Sequence, residues 1–190
     1  MRDKLVFDIE TKNTFQDVGG KDRMDLLNVS VVGVYSYNRN EYRCFDEYEL
    51  KELGEWFKNA YLIIGFYSKN FDVPVMEKYY DFKLASIPHI DILEEIQNRL
   101  SRRIGLGVLA EANLGVGKSG HGLDAIEYYK NGEMEKLKAY CLQDVKVTKE
   151  IYDMMLTKKH LWIPSKFSSE MTKLDFSDFK EPTPPPSGLF

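Results

Sequence analysis

The chain has 190 residues, of which 43% are hydrophobic and 13% aromatic, as expected for one soluble globular domain. Its formal net charge of −4 argues against a broadly basic nucleic-acid-binding surface, so any contact with nucleic acid must be local. No apolar run approaches the roughly 18 residues of a membrane span, and Cys44 and Cys141, which lack zinc spacing, indicate reduced thiols of a cytoplasmic protein.

Strand patterns dominate the first part of the chain. They predict, in chain order, a strand over 5–9, a polar loop over 11–25, a hairpin of strands over 27–37 and 41–45, a helix over 50–57 and a strand over 61–65. A short helix that starts near Pro74, a strand over 87–92 and a helix that reaches Arg103 follow.

Helical patterns dominate the rest of the chain. They begin at Leu106, break over 115–122 and 131–132, and end in a long helix with one apolar face from Leu137 to Met155. Strands first and helices later predict an α/β domain over 1–160, with helices packed on the faces of a mixed sheet. Residues 161–190 are predicted to be a C-terminal extension that ends in a proline-rich tail with no recognisable partner.

Four carboxylates and one tyrosine stand out along these elements. Asp8 and Glu10 are two apart on the first strand, so their side chains leave the same face. Asp72 follows a later strand and a polar turn, just before the helix near Pro74. Tyr140 and Asp144 are four apart on the long helix and are therefore neighbours on one face.

Each of these motifs has an ordinary explanation when it is taken alone. Strand-end acids are often solvated, an aspartate before a helix often caps it, and a helical tyrosine and aspartate can simply pack at the edge of a core. Four carboxylates that converge from separate elements would instead repel one another unless cations neutralise them. Mg²⁺ and Mn²⁺ prefer oxygen ligands of this kind, and a pair of such ions is suited to phosphodiester cleavage.

The order of the motifs resembles one known group of enzymes. The phrases VFDIET, NFDVPVM and YCLQDVKVT look like the three motifs of the DEDDy 3′→5′ exonucleases, which belong to the ribonuclease H-like superfamily and are similar to the proofreading domains of family B DNA polymerases. The resemblance covers about residues 4–157. It disfavours the sister group that has histidine in place of the tyrosine, because Ala139 stands five residues before Asp144.

The resemblance implies a fold and an activity. The fold would be ribonuclease H-like, with three antiparallel strands continued by two parallel strands and flanked by helices. The activity would be two-metal 3′→5′ exonuclease cleavage of single-stranded DNA or RNA. Asp8 would bridge two Mg²⁺ or Mn²⁺ ions, Glu10 and Asp144 would complete the shell of the first, Asp72 would serve the second, and Tyr140 would orient the attacking water. A catalytically silent nucleic-acid-binding module and an endonuclease on the same scaffold are the alternatives.

Predicted substrate contacts surround these acids. Members of the group commonly have asparagine five residues before the second-motif aspartate, where this chain has Tyr67. We expect either that the Tyr67 ring stacks on a base of the substrate or that it packs into the domain. Asn70, which is out of register with that asparagine, and Phe71 are further predicted contacts.

Two other segments are candidates for contact with a nucleic-acid backbone. Residues 115–119 look like the end of a phosphate-binding loop, but Ala112 stands where that pattern needs glycine, which argues against an ATP site. The same loop either presents Lys118 and His121 to the nucleic-acid backbone or is a plain surface loop. The arginines at 99, 102 and 103 either line a binding groove or complement a helix dipole.

Overall fold

The computed structural model describes residues 2–117, 122–166, 168 and 170–183. Two predicted substrate contacts, Lys118 and His121, lie outside the described residues, as do residues 184–190 of the predicted tail. Among the described residues, no helix combines the length and the apolar composition that a membrane crossing requires.

A five-stranded mixed sheet forms the centre of the fold. Its strands in chain order are β1 (Asp3–Thr11), β2 (Val29–Ser36), β3 (Glu41–Asp46), β4 (Ala60–Gly65) and β5 (His89–Asp91). Across the sheet the order is β3-β2-β1-β4-β5. The pairs β1–β2 and β2–β3 are antiparallel, whereas β1–β4 and β4–β5 are parallel. The predicted arrangement of three antiparallel strands continued by two parallel strands is therefore confirmed.

Helices cover both faces of this sheet. They are α1 (Leu50–Lys58), α2 (Asp72–Met76), α3 (Ile92–Leu100), α4 (Leu106–Leu114), α5 (Gly122–Lys130) and α6 (Met134–Thr157), with short 3-10 turns at Lys21–Leu26, Glu77–Tyr79 and Leu84–Ser86. The breaks in the sequence pattern near 115–122 and 131–132 correspond to the ends of α4 and α5. Both ends have a glycine with positive φ, Gly115 and Gly132, which suits the left-handed conformation after a helix.

Strand β1 distributes its side chains between two hydrophobic cores. Leu5, Phe7 and Ile9 pack with α1 and α2 on one face, while Val6 packs with α3, α4 and α6 on the other. Because side chains alternate along a strand, Asp8 and Glu10 leave the sheet on the same face as Val6. The two acids therefore point toward the side of the sheet on which α6 lies.

Gly33 lets helix α6 approach the sheet closely. It pairs with Asp8 on β1 and with Cys44 on β3. A Cβ atom at Gly33 would lie 2.8 Å from Val145 Cγ2 and 3.0 Å from Cys141 Sγ. Real Cβ atoms hardly ever approach other atoms so closely, so a side chain here would push α6 away from the strands.

Helix α3 is shorter than the sequence pattern predicts. It ends at Leu100 rather than reaching Arg103, because Ser101 adopts a left-handed conformation with φ 55 and its N–H donates to the Gln97 carbonyl. Charged side chains continue past this point in the sequence, but the backbone no longer has helical geometry. Arg103 therefore lies in the connection between α3 and α4.

Residues after α6 pack onto the same core. Strand β6 (His160–Pro164) pairs antiparallel with β7 (Met171–Asp175). Leu161 and Leu174 join the core that contains Val6. This hairpin lies within the segment that we predicted as a C-terminal extension, and the domain boundary at residue 160 stays a prediction.

Glu181, near the end of the described chain, forms hydrogen bonds with residues of the sheet and of α6. It accepts bonds from Lys4 Nζ at 2.7 Å and from the hydroxyls of Tyr61 and Tyr152 at 2.6 Å each. Burial raises the pKa of Glu181, but the bonds from Lys4, Tyr152 and Tyr61 outweigh it and hold this pKa below its ordinary value. The carboxylate is therefore stabilised in its charged form.

Candidate active site

The predicted acids and the predicted tyrosine meet in one cavity. Its volume is about 670 Å³, and its lining includes all five of these residues: Asp8, Glu10, Asp72, Tyr140 and Asp144. One carboxylate oxygen from each of Asp8, Glu10 and Asp144 lies within 4.8 Å of the other two. Residues from β1 and α6, far apart in sequence, thus place three carboxylates in one cluster, and Asp72 of α2 lines the same cavity.

Asp72 is held differently from the sequence expectation. Asp72 is the first residue of α2, and Phe71 occupies the capping position before it, so the ordinary explanation of Asp72 as a helix cap does not apply. Instead its carboxylate accepts a bond from the Ile9 N–H at 3.1 Å. A backbone group at the end of β1, between the two strand acids, therefore fixes the fourth carboxylate.

Burial and mutual repulsion disfavour the charged forms of these acids. Burial raises the pKa of Asp8 well above its ordinary value, and Asp72, Asp144 and Glu10 add to the shift. The pKa of Glu10 is raised in the same way, by burial and then by Asp144 and Asp72. Burial also raises the pKa of Asp72 to about 7, although backbone N–H donors, including that of Ile9, oppose the shift.

The donor set fits a hard divalent cation. In the described part of the chain, no lysine or arginine forms an ion pair with Asp8, Glu10 or Asp72. Carboxylate oxygens that are this close and this buried need a positive charge to remain ionised. Mg²⁺ and Mn²⁺ take such oxygens as ligands, which makes the cluster a candidate metal centre.

Tyr140 lies at the edge of the acid cluster. Its side chain is half-buried, and burial, followed by the charges of Asp144 and Glu10, raises the pKa of its phenol. The hydroxyl therefore stays protonated at neutral pH and is suited to hydrogen bonding rather than to removing a proton.

A thiol contact next to the acids was not expected from the sequence. Cys141 is buried on α6, and its Sγ accepts a bond from the Gly33 N–H at 3.1 Å. The same sulfur lies 4.0 Å from Asp8 Oδ2. A bond with Cys44, followed by burial, raises the pKa of Cys141, so the thiol remains neutral beside the carboxylates.

Only some of the predicted substrate contacts lie in the cavity. Tyr67 and Phe71 line the cavity with the acids. Asn70 is exposed and is absent from that lining. A second recess of about 430 Å³ adjoins the first through Ile9, Glu10 and Phe71. Phe71 also meets Phe15 there edge to face, with ring centroids 5.7 Å apart. Apolar and aromatic surface therefore flanks the carboxylates on two sides.

One residue beside the cavity was missed by sequence reasoning. Asp91 holds the loop that carries Tyr67, because its carboxylate accepts from the N–H groups of Tyr67 at 2.9 Å and of Lys69 at 3.0 Å. Its position between a strand pattern and a helix pattern signals only the cap that it also provides for α3. Arg103, which the sequence offered either as part of a binding groove or as a complement to a helix dipole, lines the cavity.

Comparisons with known proteins agree with this architecture. Residues 5–156 match the family profile RNase_H_2, described as RNase H superfamily. None of the curated proteins compared with the chain matches it. Among solved structures, the chain is similar to the family B DNA polymerase from the hyperthermophilic archaeon Pyrobaculum calidifontis, with a TM-score of 0.61 and 20% identity. This likeness covers 82% of the present chain but only 25% of the polymerase, and it shows a shared fold.

Proposed function

The chain belongs to the ribonuclease H superfamily, and we propose that it is a metal-dependent 3′→5′ exonuclease acting on single-stranded DNA or RNA. Membership of this superfamily indicates a nuclease with a nucleic-acid substrate. One observation carries the finer proposal. Carboxylate oxygens of Asp8, Glu10 and Asp144 lie within 4.8 Å of one another, in a cavity that Asp72 and Tyr140 also line.

The acids have the chemistry to hold two divalent cations. Asp8, Glu10 and Asp144 would hold one ion, and Asp8 together with Asp72 would hold the other. When bound, Mg²⁺ or Mn²⁺ activates a water molecule as the nucleophile and neutralises charge on the leaving 3′-oxygen. The raised pKa values of Asp8, Glu10 and Asp72 support this assignment, because burial and repulsion disfavour the charged cluster until positive charge is added.

Residues of the chain would position the reacting groups. The protonated hydroxyl of Tyr140 would hold the attacking water by a hydrogen bond, because the raised pKa of this phenol makes it a poor base. The bond from the Ile9 N–H would keep the Asp72 carboxylate in place. Hydrolysis then joins the phosphorus to the water oxygen and breaks the bond between the phosphorus and the 3′-oxygen. The products are a nucleoside 5′-monophosphate and a shortened strand with a new 3′-hydroxyl.

Aromatic surface around the acids supports an unpaired substrate. Tyr67 is half-buried, because its ring packs in part against the core, and it also lines the cavity. Stacking on such a ring contributes about 1–3 kcal/mol per base and tolerates any sequence. We therefore propose that Tyr67 and Phe71 hold an unpaired 3′ end with little base selectivity.

A labelled single strand tests the proposal directly. We expect a 5′-labelled oligonucleotide, of DNA or of RNA, to give a ladder of shortened products with Mn²⁺ and none with EDTA. Asp144→Asn should abolish the ladder, whereas Glu135→Gln, which changes an exposed acid on the same helix, should not. A discrete internal cut would instead indicate an endonuclease, and binding without any cleavage would indicate a silent module.

A further inference from the structure

Three arginines that are close in sequence have separate environments in the structure. Arg99 pairs with Glu95 at 2.7 Å and with Asp178 at 3.0 Å. Arg102 donates to the Pro164 carbonyl. Arg103 is exposed and forms no ion pair with any described residue, although it lines the cavity that contains the four carboxylates. It is the one basic residue among the described residues of that lining.

Arg103 lies over an aromatic ring that is itself fixed. Its guanidinium carbon is 4.2 Å from the centroid of the Tyr67 ring. Tyr67 has a φ of 63, a left-handed conformation that is rare for an aromatic residue. The bond from its N–H to Asp91 holds the backbone in this shape. Strained backbone that is held by its surroundings is concentrated at functional sites, and here it presents the ring and the guanidinium to the cavity.

We propose that Arg103, supported by the Tyr67 ring, binds the phosphate one nucleotide to the 5′ side of the scissile phosphate. A planar guanidinium donates paired hydrogen bonds to phosphate oxygens, and it can do so while it stacks on an aromatic face. An arginine that forms no ion pair with a described carboxylate, in a cavity that contains four acids able to hold cations, has a polyanion as its natural ligand. The inference rests on the proposed exonuclease function.

The choice of phosphate follows from the place of Arg103 in the cavity and from the chemistry of a 3′ end. Among the described residues, Arg103 forms no ion pair with Asp8, Glu10 or Asp72, so it lies beside the acid cluster and is placed to meet the phosphate next to the one held there. In a substrate cleaved one nucleotide from a 3′-hydroxyl end, the terminal nucleotide carries no phosphate beyond the scissile one. The neighbouring phosphate can therefore lie only on the 5′ side. Arg103 would act in substrate binding, not on the reacting atoms.

Arg103→Gln tests this assignment, with Arg39→Gln as a matched control. Arg39 also stacks on a ring, that of Trp56 at 3.9 Å, but it lies in the turn between β2 and β3 and does not line the cavity. The probe is a ten-nucleotide oligothymidylate with a 5′-fluorescein and a 3′-hydroxyl. We expect Arg103→Gln to raise KM by about tenfold with little change in kcat. Arg103→Lys should retain part of the affinity, and Arg39→Gln should behave as wild type.

Binding and its salt dependence provide a readout that does not need turnover. Fluorescence anisotropy with EDTA in place of Mn²⁺ measures affinity at several salt concentrations. Loss of one phosphate contact should reduce the slope of log affinity against log salt by about 0.7 for a single strand. A change that only loosened the fold would weaken binding but would leave the slope of log affinity against log salt unchanged.

A modified substrate identifies the phosphate. The same oligonucleotide is made with one uncharged methylphosphonate linkage, placed one nucleotide to the 5′ side of the terminal linkage. If Arg103 binds that phosphate, wild type and Arg103→Gln should cleave this substrate with kcat/KM values within about twofold of each other.

The outcomes separate this inference from the function on which it rests. Equal KM values and equal salt slopes for wild type and Arg103→Gln would overturn it, as would a defect that persists undiminished on the methylphosphonate substrate. Either result leaves wild-type cleavage intact. Absence of a product ladder from wild type would instead refute the exonuclease proposal, and the anisotropy data would still report on Arg103.

Discussion

Gly33→Ala tests whether the close packing of α6 against β2 positions the active-site residues. The added methyl carbon would lie 2.8 Å from Val145 Cγ2, 3.0 Å from Cys141 Sγ and 3.3 Å from the Cys141 carbonyl oxygen. Ordinary carbon contacts are about 3.5–4.0 Å, so α6 would have to move away from β2 by several tenths of an ångström or more. Because Tyr140 and Asp144 are the sequence neighbours of these contact residues, the movement should also displace them.

The expected cost can be estimated from these distances. Overpacking of a dense core costs about 1–3 kcal/mol. Replacing glycine in a strand restores about 0.5–1 kcal/mol because the unfolded chain loses less entropy. A net loss of about 1–2 kcal/mol corresponds to a fall in Tm of roughly 2–8 °C for a domain of this size. If Tyr140 and Asp144 were displaced by about 1 Å, kcat could fall by about a hundredfold.

Thermal melts and ladder assays on matched variants measure both effects. Gly117→Ala is the control, because its methyl group would meet only Glu111 Oε2 at an ordinary 3.5 Å. The double variant Gly33→Ala, Val145→Ala removes the closest contact and should lose less stability than the sum of its single changes. If Gly33→Ala melted and cleaved as wild type does, the close approach of α6 would not govern the site.

Further predictions concern the metal, the hydroxyl, the aromatic ring and the end of the chain. Excess Mn²⁺ should raise the Tm of wild type but not that of an Asp8→Ala, Asp144→Ala double variant, because the ion binds the folded site alone; equal shifts would place the ion elsewhere. Tyr140→Phe should lower kcat strongly and keep the Mn²⁺-dependent rise in Tm, whereas full activity would refute the water-orienting role. Tyr67→Ala should raise KM with Tm nearly unchanged, and Tyr67→Phe should resemble wild type; a large loss of Tm would mean that the ring packs into the domain. Glu181→Gln should have a lower free energy of unfolding than wild type at pH 7, and urea titrations should show this difference shrinking below pH 4.5. The reason is that a carboxyl whose pKa is lower in the folded than in the unfolded state gives stability that is lost as pH falls. A difference that stays constant with pH would show that the charge of Glu181 contributes nothing.

The elements of the sheet were predictable because their signals are local. The apolar run before Asp8 and the turn residues 38–40 depend only on neighbouring positions, and both predict what the structure contains. The spacing of Asp8 and Glu10 follows from the strand period in the same way. Their presence in one cavity with Asp144 was expected from the resemblance, not from the pattern, because nothing local relates β1 to α6.

Other features depended on tertiary contacts that no local pattern contains. Asp72 looks like a helix cap, yet its partner is the Ile9 N–H, a backbone group that every sequence position possesses. Arg103 looks like the end of a helix until Ser101 turns the backbone into the left-handed region. Gly33 looks like a weak position in a strand, and only the packing of α6 explains it.

The position of Asp144 on α6 has a consequence for the making of the protein. Ribosomes release the chain from its N-terminus, so β1 with its two acids emerges first and α6 emerges after all five strands of the sheet. Until α6 closes over Gly33, the growing chain lacks one of its carboxylates and the tyrosine. A nascent or partly folded molecule should therefore be harmless to the messenger RNA beside it, and nuclease activity should arise only when the last long helix has docked.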